Sequence, residues 1–251
     1  MRLKDKVAIV TGAGSGFGEG IAQRFAAEGA KVVLNDVNAE NGARVTEALK
    51  ASGADCVFVK ADVSKGDEYK AMVAAAKDSF GKLDIVVNNA GVSHRNQPLA
   101  SVSEEEFDRV FNVNVKALLW TAKYAVPLME ENGGGSLITV ASTAGVRPRP
   151  GLVWYNGSKG AAITISKAMA LELAPLKIRV NNINPVAGDT PLLATFMGED
   201  TPEKRAQFLA SIPLGRFSLP GDIANAALFF ASDESAFITG TNMEVDGGRC
   251  V

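Results

Sequence analysis

The strongest constraint on this chain is a regular alternation between short apolar runs and longer amphipathic stretches. The apolar runs are rich in Val, Ile and Leu and have the length of buried strands, whereas the intervening stretches have the pattern of helices. Strands that are apolar on both faces and joined by helices indicate a parallel sheet covered on both sides. The right-handed crossover rule then favours a doubly wound α/β fold of about seven strands. The predicted strands span 6–12, 31–36, 55–62, 83–91, 136–142, 178–184 and 242–248, and the predicted helices span 17–29, 38–53, 67–81, 103–111, 114–131, 152–174 and 221–231.

The segment 188–219 interrupts this rhythm, with proline near both ends and only short helical pieces. No repeat, low-complexity tract or shift in composition marks a domain boundary, so residues 1–251 are expected to form a single domain. A long insertion after the carboxyl end of a strand is a common position for a substrate lid, and 188–219 is predicted to be one. An ordered surface excursion is the alternative.

Composition argues against several classes of function. The formal net charge of −2 gives no reason to expect nucleic acid or an anionic membrane as a partner. The two cysteines lie far apart and beside no other ligand-type residues, so neither a disulfide nor a metal site is expected. Cys56 is interpreted as a small core residue and Cys250 as an incidental thiol. The N-terminus runs directly into a strand and no apolar run reaches transmembrane length, from which a cytoplasmic location is expected.

A glycine-rich loop, TGAGSGFG at 11–18, follows the first predicted strand and opens a helix. Glycines let the backbone come close to a ligand, and the free N–H groups of a helix N-terminus favour a phosphate. A simple strand-to-helix turn is the alternative, but a βαβ unit of the appropriate size follows. The predicted dinucleotide contacts in this loop are Gly12, Ser15, Gly16, Phe17 and Gly18.

The second predicted strand ends in Asp36. A carboxylate at this position accepts hydrogen bonds from the adenosine ribose hydroxyls and repels a 2′-phosphate. No arginine lies in the glycine loop or directly after Asp36, where it would neutralise such a phosphate. NAD(H) is therefore predicted in preference to NADP(H). The alternative for Asp36 is a residue that only forms the turn at the strand end.

Two further polar turns close the third and fourth predicted strands. They are Asp62-Val63 and NNAG at 88–91. Ligands of open parallel sheets bind beyond the carboxyl ends of the strands, so both turns are expected to meet the glycine loop at one crevice. Asp and Asn also form turns and cap helices on their own account, which explains part of the pattern. The predicted cofactor contacts here are Asp62, placed near the adenine ring, with Val63, Asn89, Ala90 and Gly91.

The stretch from Ser142 to Lys159 contains the residues of an acid–base site. Ser142 ends an apolar run, and Tyr155 and Lys159 are four residues apart on one face of a predicted helix. The ammonium of Lys159 is expected to lower the pKa of Tyr155 from its usual value of about 10. Tyr155 is then a candidate general acid or base, with Ser142 holding a substrate oxygen against the phenol. A Y-x-x-x-K pair alone occurs by chance in many surface helices, so it indicates an active site only together with the other motifs of the chain.

In this order and spacing, these motifs make the chain resemble the short-chain dehydrogenase/reductase family in its single-domain, Rossmann-type form. The matching motifs are TGxxxGxG at 11–18, Asp62-Val63, NNAG at 88–91, Asn114 within FNVNVKA, Ser142, YxxxK at 155–159 and Val-Asp-Gly-Gly at 245–248. The resemblance implies hydride transfer between the nicotinamide of NAD and a secondary alcohol or ketone. It also implies a homotetramer built on the helices at 114–131 and 152–174, which carry apolar residues on more than one face.

The resemblance further implies a catalytic tetrad. In it, Tyr155 exchanges the proton, Ser142 orients the substrate oxygen, and Lys159 holds the nicotinamide ribose and tunes Tyr155. Asn114 anchors a water that links Lys159 to solvent. From the residues alone, Asn114 is instead interpreted as a back-bonded or kink-forming residue of a helix.

One motif, PVAGDT at 185–190, departs from the family pattern, which usually has Pro-Gly, an aliphatic pair and Thr after the sixth strand. Pro185 and Thr190 match the pattern, so the contact to the nicotinamide carboxamide is expected to survive, and Gly188 is also predicted to contact the cofactor. Val186 replaces a flexible glycine and Gly188 supplies flexibility at a different position, so the position of the lid hinge stays open.

Several cationic or potentially cationic side chains follow two of the predicted strands. His94 and Arg95 lie after the fourth strand, and Arg147 and Arg149 lie between Ser142 and Tyr155. In the family both loops border the substrate pocket. We therefore consider His94, Arg147 and Arg149 as contacts to a substrate with a carboxylate, phosphate or sulfonate. The alternatives are that both arginines are solvated or touch a neighbouring subunit, and that His94 is an exposed loop residue.

Two other functions stay open at this point. A redox-inert NAD-binding sensor or assembly subunit would not require Ser142, Tyr155 and Lys159 together. A 3-oxoacyl thioester reductase would dock an acidic carrier through basic residues, whereas the helices expected to do so end acidic or neutral at 129–135 and 171–176.

Overall fold

All 251 residues are described by a computed structural model, whose centre is one sheet of seven parallel strands. The strands are β1 (Val7–Thr11), β2 (Lys31–Asp36), β3 (Cys56–Lys60), β4 (Ile85–Asn88), β5 (Gly135–Val140), β6 (Ile178–Pro185) and β7 (Asn242–Val245). Their order across the sheet is β3-β2-β1-β4-β5-β6-β7. The chain therefore reverses direction across the sheet between β1 and β4, which creates the crevice where doubly wound proteins bind ligands. The predicted α/β architecture is confirmed.

Helices cover both faces of this sheet. They are α1 (Gly16–Ala27), α2 (Ala39–Ala51), α3 (Gly66–Phe80), α4 (Glu104–Phe111), α5 (Ala117–Trp120), α6 (Val126–Glu131), α7 (Val153–Leu173), α8 (Leu193–Met197), α9 (Pro202–Leu209) and α10 (Pro220–Ala231). Two π-helical turns, Asn112–Lys116 and Thr121–Ala125, connect α4, α5 and α6 into one run. None of the helices combines the length and the apolar character that crossing a bilayer requires.

Each face of the sheet has its own apolar core, because alternate side chains of a strand point to opposite faces. Ala8 and Val10 of β1 belong to the core beneath α1 and α10, whereas Val7 and Ile9 belong to the core beneath α3 and α7. Cys56 is buried in the first of these cores as a free thiol, as predicted. Burial on both faces fixes the strands in register and aligns their carboxyl ends along one edge of the sheet.

The segment 188–219 is ordered and contains α8 and α9. It is anchored by a small apolar cluster that is separate from the two main cores and consists of Val186, Leu193, Met197, Ile212 and Phe217. A parallel bridge between Gly188 and Ser218 ties the two ends of the segment together. The interruption of the strand–helix rhythm therefore corresponds to a packed unit at the carboxyl end of β6.

Candidate active site

A cavity of about 560 Å³ opens at the carboxyl ends of the central strands. Loops that are far apart in sequence meet here because parallel strands all end at this edge. The residues that were predicted from the sequence and that line the cavity are Gly12, Ser15, Gly16, Phe17, Asp36, Asp62, Val63, Asn89, Ala90, Gly91, Ser142, Arg149, Tyr155, Lys159, Pro185, Gly188 and Thr190. The structure thus brings most of the predicted residues to one site.

The glycine loop owes its shape to two residues with positive φ and one close contact. Gly12 and Gly16 have φ of 64° and 55°, a region that disfavours side chains. Gly18 does not line the cavity, because it faces the loop itself, where a Cβ would lie 2.1 Å from the carbonyl oxygen of Gly12. The absence of a side chain at Gly18 therefore lets α1 begin close beside the loop, whereas its predicted contact to the cofactor stays a prediction.

Asp36 forms the strand-end turn and also lines the cavity, so its two interpretations are compatible. Its Oδ1 accepts a hydrogen bond from the Asn38 backbone N–H at 2.9 Å, and its Oδ2 accepts one from the Gly14 N–H at 2.9 Å. Arg44, which sequence reasoning did not consider, donates to the Gly14 carbonyl at 3.1 Å. Both Nη atoms of Arg44 also bond the Glu19 carboxylate, at 3.0 and 2.8 Å, so its charge is already paired.

The turn after β4 braces the glycine loop. The Asn89 side-chain amide donates to the carbonyl of Thr11 at 2.7 Å, and the Thr11 hydroxyl accepts from the backbone N–H groups of Asn89 and Ala90 at 3.0 Å. The Asp62 carboxylate is held at 2.9 Å by the N–H of Ser64. Asn89 therefore fixes the spacing between two loops, a role that the sequence reasoning did not assign.

The three side chains Ser142, Tyr155 and Lys159 meet at one end of the cavity. Tyr155 and Lys159 project from α7 and are only 5% and 6% exposed. The Lys159 ammonium donates to the carbonyl of Val140 at 2.9 Å and lies 5.9 Å from the centroid of the Tyr155 ring. The Ser142 hydroxyl, directly after β5, accepts from the N–H of Ala144 at 3.0 Å. The predicted helical spacing of Tyr155 and Lys159 is confirmed.

The expected effect of Lys159 on Tyr155 is not what the structure shows. Burial raises the pKa of Tyr155 to about 12, and the neighbouring Ser142 hydroxyl opposes this rise only in part. Burial lowers the pKa of Lys159 to about 8. Desolvation disfavours the charged form of each group, and the ammonium lies beside the phenol ring instead of being exposed to water. The predicted lowering of the Tyr155 pKa is therefore wrong for this state of the protein.

Asn114 lies in the π-helical turn Asn112–Lys116, a type of bulge that is frequent at functional sites. Its side chain bonds both backbone groups of Val92 at 2.9 Å and donates to the Ser158 hydroxyl at 3.0 Å. It therefore holds the loop after β4 and does not bond back to its own helix. A second cavity of about 10 Å³, close to the size of one water, is lined by both Asn114 and Lys159.

The predicted cationic contacts separate in the structure. His94 is 1% exposed and lies outside the cavity, with Nδ1 at 2.8 Å from the Arg95 carbonyl, so the expectation of an exposed loop residue is wrong. Arg147 is exposed outside the cavity and donates to the Arg249 carbonyl. Arg149 is half-buried and lines the cavity. The turn after Ser142 thus points one arginine outward and the other inward.

Among the cavity residues that the sequence reasoning missed, three have aromatic or cationic side chains: Arg109 on α4, Phe196 on α8 and Phe208 on α9. The Phe196 ring lies against Tyr155, with the ring centroids 5.0 Å apart. The guanidinium of Arg149 lies over the Phe208 ring, 4.5 Å from its centroid. No local pattern marks these residues, because helices that are distant in sequence bring them to the site.

Gly188 is required for space. A Cβ on it would lie 2.3 Å from Cζ of Phe17, and its φ is not positive. The neighbouring backbone is tied down as well, because the N–H of Asp189 donates to the carbonyl of Ser218 at 3.2 Å. The small size of Gly188 therefore lets the segment 188–219 pack against Phe17 of the glycine loop.

Comparison with known proteins agrees with this geometry. The family model described as Enoyl-(Acyl carrier protein) reductase matches residues 12–249. The 4-formylbenzenesulfonate dehydrogenase TsaC1/TsaC2 of Comamonas testosteroni is 51% identical over 250 residues, covering 99% of both chains. The 2,5-dichloro-2,5-cyclohexadiene-1,4-diol dehydrogenase LinX of Sphingobium indicum is 39% identical, covering 100% of this chain and 98% of its own. The solved structure of a 3-ketoacyl-(acyl-carrier-protein) reductase from Brucella melitensis with NADH has a TM-score of 0.93 and 47% identity, covering 99% of this chain and 100% of its own.

Proposed function

We propose a reaction for this chain, which belongs to the short-chain dehydrogenase/reductase family. The chain is an oxidoreductase with a nicotinamide cofactor. The proposed reaction is the reversible transfer of a hydride between NAD and the carbon of an alcohol or carbonyl group, with Tyr155 as the general acid or base. The observation that carries this proposal is that Ser142 and the buried residues Tyr155 and Lys159 line the same cavity as the glycine loop.

The residues of the cavity fit a dinucleotide. The N-terminus of α1 supplies free N–H groups for a pyrophosphate, and glycines at 12 and 16 let the backbone approach it. Asp36 would bind the adenosine ribose, Asp62 and Val63 the adenine, and Pro185 and Thr190 the carboxamide side. When bound, NAD supplies the hydride acceptor, and its reduced form supplies the donor.

In the oxidation direction the phenolate of Tyr155 accepts the hydroxyl proton of the substrate and becomes the neutral phenol, while the hydride leaves the same carbon for the cofactor. Ser142 holds the substrate oxygen next to Tyr155. Lys159 stabilises the phenolate from which oxidation starts, because its ammonium lies beside the same ring. Asn114 positions the loop after β4 and borders the small cavity that would hold a water beside Lys159. In reduction the proton and hydride move in the opposite sense.

NAD is proposed over NADP. The Asp36 carboxylate at the cavity wall would repel a 2′-phosphate. Arg44 is near enough to the loop to offer a counter-charge, but it is already paired with Glu19. A 2′-phosphate would therefore be repelled by the Asp36 carboxylate, and the paired Arg44 would not supply a free positive charge to bind it.

The substrate proposed for this site is a small ring compound that carries a negative charge. A 51% identical relative is named for an aromatic aldehyde with a sulfonate group. Two aromatic rings line the cavity, Phe196 beside Tyr155 and Phe208 beside the cationic Arg149. An aromatic wall favours flat rings, and a guanidinium favours a sulfonate, carboxylate or phosphate.

The test is turnover of alcohols and carbonyl compounds with NAD(H) and NADP(H), followed by the absorbance of the reduced nicotinamide. Tyr155→Phe keeps the ring and its packing and removes the acid–base hydroxyl, so kcat is expected to fall by about 100-fold or more. Binding of NADH to the variant should be unchanged. Equal turnover by Tyr155→Phe and wild type would refute the mechanism and favour a binding protein without redox chemistry.

A 3-oxoacyl thioester reductase is the second candidate, since the solved structure with 47% identity carries that name. A short model thioester, acetoacetyl-N-acetylcysteamine, would separate the two functions. Reduction of this thioester with a higher kcat/KM than that of ring ketones would favour the second candidate.

A homotetramer and a closing lid are also proposed. Leu119 on α5 and Leu171 on α7 are 47% and 81% exposed in the single chain, and contact with other copies would bury this apolar surface. Multi-angle light scattering should give a mass of four chains, and a monomer mass would refute the assembly. The lid predicts that cofactor binding protects α8 and α9 from hydrogen exchange.

A further inference from the structure

The ionisable side chains of the cavity are divided by sign. Asp36 and Asp62 line the end beneath β2 and β3, whereas Arg109, Arg149 and Lys159 line the other end. Lys159 is committed to the Val140 carbonyl and lies beside Tyr155. The two arginines have no such role in the proposed chemistry. The substrate end of the cavity therefore carries two positive charges, on Arg109 and Arg149, that the hydride transfer does not need.

Arg149 is cationic and unneutralised. Its guanidinium makes a hydrogen bond to the Ser211 hydroxyl at 2.8 Å and stacks on the Phe208 ring, and both partners are neutral. Burial first, and then the positive charges of Arg249 and Arg147, lower the pKa of Arg149 to about 10, and Cys250 opposes this only in part. Arg149 thus stays protonated near neutral pH and lacks an anion. A half-buried cation without an anionic partner indicates a ligand that supplies the missing charge.

The position of Arg149 relative to Tyr155 is fixed by the backbone. The side-chain amide of Asn156, the residue after Tyr155, donates to the Arg149 carbonyl at 2.8 Å. Phe196 covers one side of Tyr155, and Phe208 lies under the guanidinium. Tyr155 and Arg149 therefore line the same cavity, and each has an aromatic ring next to it.

From this geometry we infer that Arg149 is the residue that selects the substrate, by binding a sulfonate or carboxylate on the ring opposite the alcohol or carbonyl group that faces Tyr155. This inference rests on the proposed function only in taking the cavity as the substrate site. Arg149 is a specificity-determining residue and takes no part in proton or hydride transfer. Arg147, two residues away and outside the cavity, does not share this role.

The test uses two ligands of nearly the same shape and different charge, benzenesulfonate and the neutral benzenesulfonamide. Their dissociation constants are measured by isothermal titration calorimetry with and without NADH. Wild type is expected to bind the sulfonate about 10- to 100-fold more tightly, the range for a charge-assisted hydrogen bond. Arg149→Met should remove that preference, Arg149→Lys should restore part of it, and the matched control Arg147→Met should leave it intact.

Three outcomes overturn the inference. The first is equal affinity of wild type for the two ligands, including failure to bind either, and the second is a preference for the sulfonate that survives Arg149→Met with an unchanged thermal unfolding midpoint. The third is loss of the preference in Arg147→Met to the same extent as in Arg149→Met. Oxidation of neutral benzyl alcohol with NAD tests the proposed function separately. Oxidation of benzyl alcohol without an Arg149-dependent preference for the sulfonate would support the proposed function and refute the anion site. An Arg149-dependent preference without oxidation of benzyl alcohol would support the anion site and refute the proposed function.

Discussion

Replacing Lys159 with methionine is expected to stabilise the folded chain while abolishing its proposed activity. Lys159 is 6% exposed, and burial alone lowers its pKa from the ordinary value of 10.5 to about 8. One unit of pKa corresponds to about 1.4 kcal/mol, so keeping this ammonium protonated in the folded chain costs about 3 kcal/mol. Loss of the hydrogen bond to the Val140 carbonyl would offset about 1 kcal/mol of that gain. The variant should therefore be more stable than wild type by about 2 kcal/mol near neutral pH.

The pH dependence provides the more specific test. Below about pH 8 Lys159 is protonated in both the folded and the unfolded chain, so the cost of its burial is fully present. Between about 8 and the unfolded value of 10.5 the folded chain loses this proton and the unfolded chain keeps it, so wild-type stability rises by about 1.4 kcal/mol per pH unit. The advantage of Lys159→Met should thus shrink as pH rises through this window. Tyr155, whose pKa is raised to about 12, would contribute a loss of stability only above its ordinary value of about 10.

The measurement is urea unfolding of wild type and variant from about pH 7 to just below pH 10, at one protomer concentration and without NAD(H). Lys167→Met is the control, because Lys167 lies exposed on the same helix and should change stability little. A variant that is less stable than wild type near pH 7 would refute the reasoning. A stability difference that does not change between about pH 8 and 10 would refute the assignment to the Lys159 proton.

Two further predictions follow from contacts around the glycine loop. Asp36→Ala should raise kcat/KM with NADP by about 10-fold or more, because it removes the carboxylate that repels a 2′-phosphate. Adding Glu19→Ala should raise this kcat/KM further, because it frees Arg44 from its ion pair. The measurement is steady-state kinetics with both cofactors, and an unchanged ratio of kcat/KM with NAD to kcat/KM with NADP would show that Asp36 only shapes the turn. Gly188→Ala should lower the unfolding midpoint at a cost of about 1 to 3 kcal/mol, because its Cβ would lie 2.3 Å from Cζ of Phe17. Shortening that neighbour with Phe17→Leu should reduce the cost, whereas equal losses in both backgrounds would point to backbone strain instead.

The sequence by itself determined the order and type of the elements that carry the site. Strand-length apolar runs, a glycine loop at a helix start and an i, i+4 pair are short-range patterns, and short-range sterics and hydrogen bonding decide them. Asp36 and the pair of Tyr155 and Lys159 could therefore be placed in advance. The fold class followed as well, because only a parallel sheet covered on both faces buries strands of this composition.

Tertiary structure alone decided which side chains face the cavity and how their charges behave. His94 and Arg149 are both predicted from the sequence to lie in loops, yet His94 is buried outside the cavity and Arg149 lines it. The sign of the pKa shift of Tyr155 depends on how completely surrounding helices exclude water, which no spacing along the chain reveals. Burial depends on elements that are distant in sequence. The sequence therefore identified the reacting groups, whereas the packed structure set their ionisation and placed Arg149 in the cavity beside neutral partners.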